Sequence, residues 1–239
     1  MYAGQVNIFM NHLAILHQDD QIVVIHKPAA MLMHRSPISR DTVFVLQTLR
    51  DQIGRRVYPI HRLDRATSGV LAFGLNPEVA KIVTRQFEHH QVEKEYRALV
   101  RGWVDDIGQI DHPVADEDGN NKNQQAITNY RCLQKVELPF EVDRYPSTRY
   151  SLVSVSPQTG RRQQIRKHFK HISHHLIGDT THGNGKHNRF FRERYNIHRL
   201  MLTSKKLCLD HPVTQQRLCF EAEAEPEWDK LFEVFDWEE

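Results

Sequence analysis

The 239-residue sequence lacks any apolar run near the roughly 18 residues that cross a bilayer, so we predict no membrane span. Residues Met1–Asn11 contain no basic stretch followed by an apolar core, the pattern of a secretory signal, and this favours a cytoplasmic protein. Cysteine is scarce as well. Cys132, Cys208 and Cys219 form no C-x-x-C pair, which predicts ordinary buried thiols in a reducing compartment and not a metal or redox site.

Internal repeats, low-complexity stretches and proline- or glycine-rich linkers are also missing from the sequence. With 39% hydrophobic and 26% charged residues, the composition is that of a folded globular protein and not of a disordered chain. We therefore expect a single domain over residues 1–239. Separately, we expect a monomer, and we expect residues 1–12 to be an N-terminal extension.

The net charge of +2 hides an uneven distribution along the chain. Residues 144–206, here called the basic block, hold 14 Lys and Arg against two acids, Asp179 and Glu193, whereas the rest of the chain holds 18 basic and 28 acidic residues. Aromatic side chains such as Tyr150 and Phe169 are interleaved with these charges, which predicts a folded surface and not a tail. Binding of nucleic-acid phosphates is the simplest use for this block, because each neutralised phosphate releases counterions. A surface that only aids solubility is the alternative.

The 16 histidines, several of them between His168 and His187, raise the question of a metal site. No cysteine or carboxylate spacing completes a recognisable set of ligands around them. RNA contact or plain surface is therefore the preferred interpretation, and we expect no bound metal.

Strand-like and helix-like patterns are mixed without the strict alternation of a doubly wound sheet, which predicts an α+β fold with a large, mostly antiparallel sheet flanked by helices and loops. The predicted helices are Asp41–Ile53, one that begins after a cap at Asn76, Arg161–His171, and a closing helix around Trp228–Phe235. The predicted strands are a hairpin within Ile15–Lys27, two strands within Val57–Leu75, Val92–Trp103, Tyr150–Ser156, Leu200–Leu202, Leu207–Leu209 and Gln216–Phe220. The polar stretch Asp116–Gln125 is predicted to be a mobile loop.

Asp64 is the first candidate for chemistry. It lies between Arg62 and Arg65, whose guanidinium groups favour the ionised carboxylate that a nucleophile needs. Taken alone, Arg-Leu-Asp-Arg is more often a surface ion pair. The remainder of the segment His61–Gly69, together with motifs elsewhere in the chain, favours chemistry.

Six segments, in this order along the chain, resemble the motifs of the A-type family of ribosomal-large-subunit pseudouridine synthases. They are His26–Pro28, His61–Gly69, Lys94–Ala98, Gly160–Arg166, Ile177–Asp179 and Arg199–Leu202. The resemblance implies the pseudouridine synthase fold and an enzyme that isomerises uridine in RNA. Because uridine and pseudouridine are isomers, it also implies that no metal, nucleotide or other cofactor takes part.

The resemblance further implies roles for individual residues. Asp64 is the nucleophile, Tyr96 packs against the flipped base, Arg166 pairs with Asp64, and Arg62 enters the RNA stack in place of the extruded uridine. In isolation, Tyr96 would more often be a core aromatic of a strand and Arg166 one more phosphate contact. With the basic block, the resemblance predicts these RNA contacts: His61, Arg62, Arg65, Arg161, Arg162, Lys167, Arg189, Arg192 and Leu200.

Further segments resemble one subgroup of this family, whose members act on uridine 65 in the TΨC stem of tRNA. They are Met33–Ser36, Gln47–Gly54, Val100–Trp103, Arg144–Tyr150 and stretches within residues 182–190. Transfer RNA is therefore the expected partner and substrate, and ribosomal RNA is the alternative. Only about 15 residues precede the first hairpin, too few for the S4-type RNA-binding domain that many relatives carry. We expect the catalytic domain itself to hold the RNA.

Two positions depart from the family pattern. Gln163-Gln164 stands where His-Gln is usual, and Thr203 stands where a histidine is common, so the contacts that those histidines would make are in doubt. Two interpretations of another class also stay open. One is a non-catalytic RNA-binding or chaperone protein on the same scaffold, and the other is a metal-dependent hydrolase built on the histidine-rich region.

Overall fold

The computed structural model describes residues 12–35, 41–115 and 123–238. The helices in this part of the chain are α1 Val45–Ile53, α2 Pro77–Glu88, α3 Gln164–His171, α4 Gly185–Tyr195 and α5 Pro226–Phe235. The strands are β1 Ala14–Gln18, β2 Ile22–Lys27, β3 Tyr58–Pro59, β4 Ser68–Gly74, β5 Glu93–Arg101, β6 Ile107–Asp111, β7 Val114–Ala115, β8 Asn123–Gln124, β9 Ile127–Leu138, β10 Thr148–Pro157, β11 Leu202–Asp210 and β12 Arg217–Glu221. None of the described helices has the length and apolar character needed to span a membrane.

One large sheet organises the molecule. Its order is β1-β2-β4-β11-β5-β10-β9-β6, with β12 paired to β11 and β3 paired to β4, while β7 and β8 form a separate pair. The pairs in the large sheet are antiparallel, except that β4 and β11 run parallel and place Ser68 beside Thr203. The predicted α+β fold with a mostly antiparallel sheet is confirmed.

The central strands are covered on both faces, which explains why their sequences are apolar without alternation. Every residue of β4 is buried. Phe73 of β4 packs in one cluster with Leu49 of α1, whereas its neighbour Ala72 packs in another with Val83 of α2. Farther along the sheet, α3 packs on one face, and α4 and α5 pack on the other. The sheet is therefore a rigid support for the loops at its edges.

Most of the predicted elements are confirmed, with shifted ends. The β1–β2 hairpin is present, and Asn76 caps α2 by accepting a hydrogen bond from the Val79 amide at 2.8 Å. Helix α1 begins at Val45 and not at Asp41. The two short strands predicted around residues 200–209 are one strand, β11. Its polar central residues, Thr203–Lys206, lack an apolar strand pattern, but they still pair with β5 and so continue the strand.

The sequence interpretation missed β6, β9 and α4. Strand β9 has alternating buried and accessible residues, but polar Thr128 and Gln134 lie on its more buried face and apolar Leu133 lies on the exposed one, so its period-two signal was weak. Helix α4 is mostly polar and buries only His187, Phe191 and Tyr195, which are spaced one turn apart. The predicted loop Asp116–Gln125 lies largely outside the described residues, and Asn123–Gln124 within it form β8.

The prediction of ordinary thiols is wrong for two of the three cysteines. Cys208 of β11 and Cys219 of β12 stand opposite each other in register and form a disulfide, whereas Cys132 is free. The two cysteines are eleven positions apart in the chain, and the antiparallel pairing of β11 with β12 brings them together.

Candidate active site

Asp64 lies in a tight turn between β3 and β4. The Thr67 amide donates a hydrogen bond to the Asp64 carbonyl at 3.1 Å, which closes the turn. The preceding residue, Leu63, is buried, so the turn is attached to the core while the Asp64 carboxylate remains 21% exposed. The local sequence thus presents one carboxylate at the surface of a fixed loop.

Lys27, at the end of β2, lies beneath this turn. Its fully buried ammonium group donates hydrogen bonds to the carbonyls of Pro28 at 2.9 Å, Arg65 at 3.2 Å and Thr67 at 2.8 Å. Burial lowers the pKa of Lys27 to about 7, although the negative charge of Asp64 opposes this change. The lysine therefore holds the backbone of the Asp64 turn from inside. A lysine two residues after the apolar run Ile22–Ile25 was the signal in the sequence.

Arg166 meets Asp64, as predicted, but its strongest partner is another carboxylate. Its Nη1 lies 3.5 Å from Asp64 Oδ2. Its Nε donates to Asp179 Oδ2 and its Nη2 donates to Asp179 Oδ1, both at 2.7 Å. Asp179 also accepts hydrogen bonds from the amides of Thr181 and His182. This bidentate pair fixes the plane of the guanidinium and leaves Nη1 directed to Asp64.

The Arg166–Asp179 pair is buried and stays charged. Burial lowers the pKa of Arg166, but the hydrogen bond and charge of Asp179 outweigh it and the net pKa is raised. Burial raises the pKa of Asp179, but Arg166 and the two amides reverse this and the net pKa is lowered. Asn188 of α4 supports the pair, since it accepts from the Gly178 amide and donates to the Asp179 carbonyl, each at 2.8 Å. Asp179 is one of only two acids in the basic block, and this isolation was the sequence signal for its role.

Tyr96 of β5 borders the same cavity as Asp64. Burial and then the charge of Asp64 raise the pKa of Tyr96 to about 12, although a hydrogen bond with Ser204 opposes this. Its hydroxyl is therefore protonated at neutral pH. The ring is half-buried and packs between two core clusters, which leaves one surface for a ligand.

Two cavities meet at the Asp64 turn. The first cavity, of about 580 Å³, contains Tyr96, and Leu202 and Ile165 add further apolar surface. The second cavity, of about 950 Å³, contains Leu200 and Arg199. Asp64, Arg166, His61 and Arg62 border both. Volumes of this size suit a nucleotide or a short stretch of RNA.

The predicted RNA contacts fall into three groups. Arg62 and Arg161 border the first cavity, Arg62, Arg65, Arg162 and Leu200 border the second, and Lys167, Arg189 and Arg192 border neither. Arg62 is exposed and makes no hydrogen bond or ion pair with other described residues, whereas Arg65 is held by Asp41 and the Ala30 carbonyl. Leu202 is a buried apolar residue that borders the first cavity together with Tyr96, and it was not among the residues predicted from the sequence.

His61 has a structural partner. Its Nε2 accepts a hydrogen bond from the Ala72 amide at 3.1 Å, and its ring stacks on Phe87 with centroids 4.7 Å apart. Burial, with a smaller effect from Lys94, lowers the pKa of His61 to about 3, so the ring is neutral at neutral pH. Its edge borders both cavities, but its ring nitrogen serves the fold of the Asp64 turn.

A sequence model of the RNA pseudouridylate synthase family matches residues 21–171, a range that contains Asp64, Tyr96 and Arg166. The chain belongs to this family. The tRNA pseudouridine synthase C of Vibrio vulnificus is 46% identical over 235 residues, which cover 94% of this chain and 96% of the relative. The protein of the same name from Haemophilus ducreyi is 47% identical over 234 residues, with 94% and 96% covered.

Solved structures of the same family agree with the fold. Human RNA pseudouridylate synthase domain containing 4 superimposes with a TM-score of 0.74 at 21% identity, covering 95% of this chain and 94% of that one. Human RNA pseudouridylate synthase domain containing 1 gives a TM-score of 0.69 at 22% identity, covering 99% and 98%. The predicted pseudouridine synthase fold is confirmed.

Gln163, which departs from the family pattern, and its neighbour Gln164, which matches it, both have defined partners in this synthase. Gln164 accepts from the Thr159 hydroxyl and the Arg161 amide, at 2.7 and 3.0 Å, and so shapes the start of α3. Gln163 adopts a left-handed backbone with φ of 56° and accepts from His182 Nε2 at 2.7 Å. A histidine–glutamine contact thus stands beside Arg166.

The histidine-rich region shows packing contacts. His168 Nε2 bonds to the His112 carbonyl at 2.9 Å, and the rings of His112 and His171 stack with centroids 3.6 Å apart. Across residues 12–35, 41–115 and 123–238, no three His, Cys, Asp or Glu side chains are grouped as metal ligands. The expectation that the family reaction needs no metal stays a prediction.

Proposed function

We propose that this protein is a tRNA pseudouridine synthase that modifies uridine 65 in the TΨC stem, with Asp64 as the nucleophile. The observation that carries the proposal is the position of the Asp64 carboxylate, which lies 3.5 Å from Arg166 and borders the same cavity as Tyr96. The names of the bacterial relatives support tRNA as the substrate class. The segments that resemble the uridine 65 subgroup support the position.

In the proposed reaction, the target uridine leaves the helical stack and its ring enters the first cavity against Tyr96. Asp64 attacks ribose C1′ as the bond between C1′ and uracil N1 breaks, and the uracil turns within the cavity. C5 then bonds to C1′ as the bond from Asp64 to C1′ breaks and frees the carboxylate. Finally, C5 loses its proton and N1 gains one. Product and substrate contain the same atoms, so no oxidant, nucleotide or cofactor is consumed.

Arg62 is the proposed wedge. It is exposed, borders both cavities and has no competing partner among the described residues. A guanidinium can stack on bases and bind phosphate, so it can fill the gap that the extruded uridine leaves. Flipping costs a few kcal/mol, and such a contact offsets part of it.

Tyr96 and Arg166 have supporting roles in this proposal. With a pKa of about 12, Tyr96 keeps its proton and contributes ring surface to the base rather than acting as a general base. Arg166 holds the Asp64 carboxylate in place while Asp179 holds Arg166. We propose that the protein acts as a monomer in the cytoplasm, where its tRNA substrate is available.

The proposal is tested by mapping pseudouridines in total RNA from cells with and without this gene, using a reagent that marks pseudouridine chemically. Loss of one site at position 65 of tRNA, restored by the wild-type gene and not by Asp64→Ala, is the expected result. Loss of a pseudouridine in ribosomal RNA instead would show that ribosomal RNA, the alternative, is the substrate. An unchanged map would favour the non-catalytic RNA-binding interpretation.

A further inference from the structure

Ser68 attaches the Asp64 turn to the middle of the sheet. It is the first residue of β4, it is fully buried, and its hydroxyl lies 2.9 Å from the Thr203 hydroxyl on the parallel strand β11. Arg199 Nη1 donates to the Ser68 hydroxyl at 3.0 Å. A side-chain connection therefore accompanies the backbone pairing between Ser68 and Thr203.

Thr203, the position that departs from the family pattern, is the centre of this connection. Its hydroxyl lies 2.6 Å from Glu225 Oε2 and accepts from Trp228 Nε1 at 2.8 Å. Because a carboxylate only accepts and an indole only donates, the Thr203 proton goes to Glu225. The Ser68 hydroxyl is then free to donate to Thr203. The four side chains that make these bonds are buried, so water does not replace the bonds easily; they are Ser68, Thr203, Glu225 and Trp228.

Glu225 is held as firmly as Thr203. Arg199 Nη1 donates to its Oε1 at 2.5 Å, and His26 Nε2 lies 3.5 Å from the same oxygen. His26 Nδ1 accepts from the Glu223 amide at 3.1 Å, which places the ring proton on Nε2 toward Glu225. Glu225 directly precedes α5, whose residue Trp228 packs in the core. The anchor is thus a rigid element.

Neither Thr203 nor Glu225 borders the two cavities at Asp64. Two side chains connect them to the site: Ser68, which directly follows the Asp64 turn, and Arg199, which bonds to Ser68, Thr203 and Glu225 and borders the second cavity. Lys27 holds the carbonyls of Arg65 and Thr67 independently. The backbone after Asp64 is therefore fixed at two places, by Lys27 from below and by Thr203 from β11.

We propose that Thr203 and Glu225 are positioning residues for the isomerisation: they hold Ser68, and through it they keep the Asp64 carboxylate in its place beside Arg166. The inference rests on the proposed role of Asp64 as nucleophile. It also gives a role to the threonine that stands where the family commonly has histidine, because the Thr203 hydroxyl donates to Glu225 and accepts from Ser68 and Trp228, with Arg199 Nη2 farther away at 3.3 Å.

The test uses Thr203→Val, which keeps the shape of the side chain and removes the hydroxyl, with Thr203→Ser as the conservative rescue. Thr148→Val is the matched control, because Thr148 is as buried at 3% as Thr203 at 2% but lies at the far end of β10. We expect Thr203→Val to lower kcat by about 10- to 100-fold with KM for tRNA within about threefold. Thr203→Ser and Thr148→Val should both retain kcat within about threefold of wild type. If Thr148→Val lowers kcat as much as Thr203→Val does, the loss reflects general destabilisation of the fold and contradicts the positioning role.

A double-mutant cycle with Ser68→Ala shows whether Thr203 acts through Ser68. In the wild-type background Ser68→Ala should lower kcat by about tenfold, and in the Thr203→Val background by less than about threefold. Independent, multiplicative effects would overturn the inference. If Thr203→Val does not fold, Glu225→Gln, which keeps the volume and removes the charge, takes its place in the cycle. Asp64→Ala is assayed in parallel. Pseudouridine formation by Asp64→Ala would contradict the proposed nucleophile. An inactive Asp64→Ala together with a fully active Thr203→Val would contradict only the positioning role.

Discussion

Arg166 links two carboxylates that differ sharply in exposure. The Asp64 side chain is 21% exposed, whereas the Asp179 side chain is 1% exposed and takes two nitrogens of the guanidinium. Asp179 therefore sets the orientation of Arg166 whether or not Asp64 is engaged. This division leaves the Asp64 carboxylate accessible to substrate while its cation stays in place.

Asp179→Asn removes the buried partner of Arg166. Breaking a buried ion pair of this kind costs about 3–5 kcal/mol of unfolding free energy, because it leaves an uncompensated charge in the interior. We also expect pseudouridine formation to fall at least about tenfold, since Arg166 is no longer fixed. Glu193→Gln, at the other acid of the basic block, is exposed on α4 and should change the unfolding free energy by less than about 0.5 kcal/mol. Denaturant unfolding measures both variants, and equal stability of Asp179→Asn and wild type would contradict the assignment.

His61 predicts a specific pH dependence of stability. Its pKa is about 3 in the folded protein and about 6.5 in the unfolded chain, so between these values the unfolded state binds more protons. The contribution of His61 is full above pH 6.5 and is lost as the pH falls toward 3. His61→Gln keeps an acceptor for the Ala72 amide but does not titrate.

Urea unfolding of wild type and His61→Gln at pH 7.5 and pH 4.5 measures this effect. The free energy of unfolding of wild type should fall more on acidification than that of His61→Gln. His198→Gln, at an exposed histidine, should follow the wild-type curve. Parallel pH curves for wild type and His61→Gln would show that the imidazole is not buried as a neutral acceptor.

At the scale of elements, the close approach of β4 and β11 governs the site. Gly69 has φ of 106°, and a Cβ at this position would lie 2.2 Å from the Ser204 carbonyl oxygen. Only glycine fits there, which explains why the His61–Gly69 segment ends in glycine. The strand that carries Ser68 can thus lie directly against the strand that carries Thr203.

Gly69→Ala should therefore destabilise the fold by several kcal/mol, about 3 or more, because it adds both backbone strain and a clash. Gly160→Ala is the control, since a Cβ there meets nothing within 4 Å and its φ is not in the left-handed region. Thermal and urea unfolding of the two variants should separate them clearly. A Gly69→Ala protein as stable as Gly160→Ala would contradict the close pairing of β4 with β11.

Elements with a local signal could be predicted from the sequence, and those that depend on distant partners could not. Asn76 and Pro77 indicate α2 by themselves. In contrast, α4 has few apolar residues and β9 has polar and apolar residues on both faces, so neither is recognised before its neighbours are known. The site follows the same division. Motif resemblance predicted Asp64, Tyr96 and Arg166 as site residues, and that assignment stays a prediction. The Thr203–Glu225 and Cys208–Cys219 pairs arise only when β11, β12 and α5 assemble.

At the scale of the whole molecule, the basic block forms α3, α4, β10 and part of β11. One of its two acids, Asp179, is buried in an ion pair, so its negative charge does not reach the surface. Arg189 and Arg192 are exposed and three residues apart on α4, which places them on the same side of that helix. We infer that this surface contacts tRNA phosphates outside the two cavities.

Replacing Arg189 and Arg192 together with alanine should weaken tRNA binding and reduce the slope of log affinity against log salt by about 2, because two phosphate contacts are lost. A Lys81→Ala, Lys230→Ala double variant removes the same charge from exposed positions outside the block and should leave the slope unchanged. Binding across a salt series measures both. Equal slopes in wild type and the Arg189/Arg192 variant would show that the charge of α4 serves something other than RNA.

The most direct test of the central claim is pseudouridine formation by purified Asp64→Asn on a tRNA transcript, measured beside its tRNA affinity. The substitution keeps the size of the side chain and removes the nucleophilic carboxylate, while Asp179 continues to hold Arg166. We predict no detectable pseudouridine and an affinity within about threefold of wild type. Conversion of uridine 65 by Asp64→Asn at a rate near that of the wild-type enzyme would contradict the assignment of Asp64 as the nucleophile.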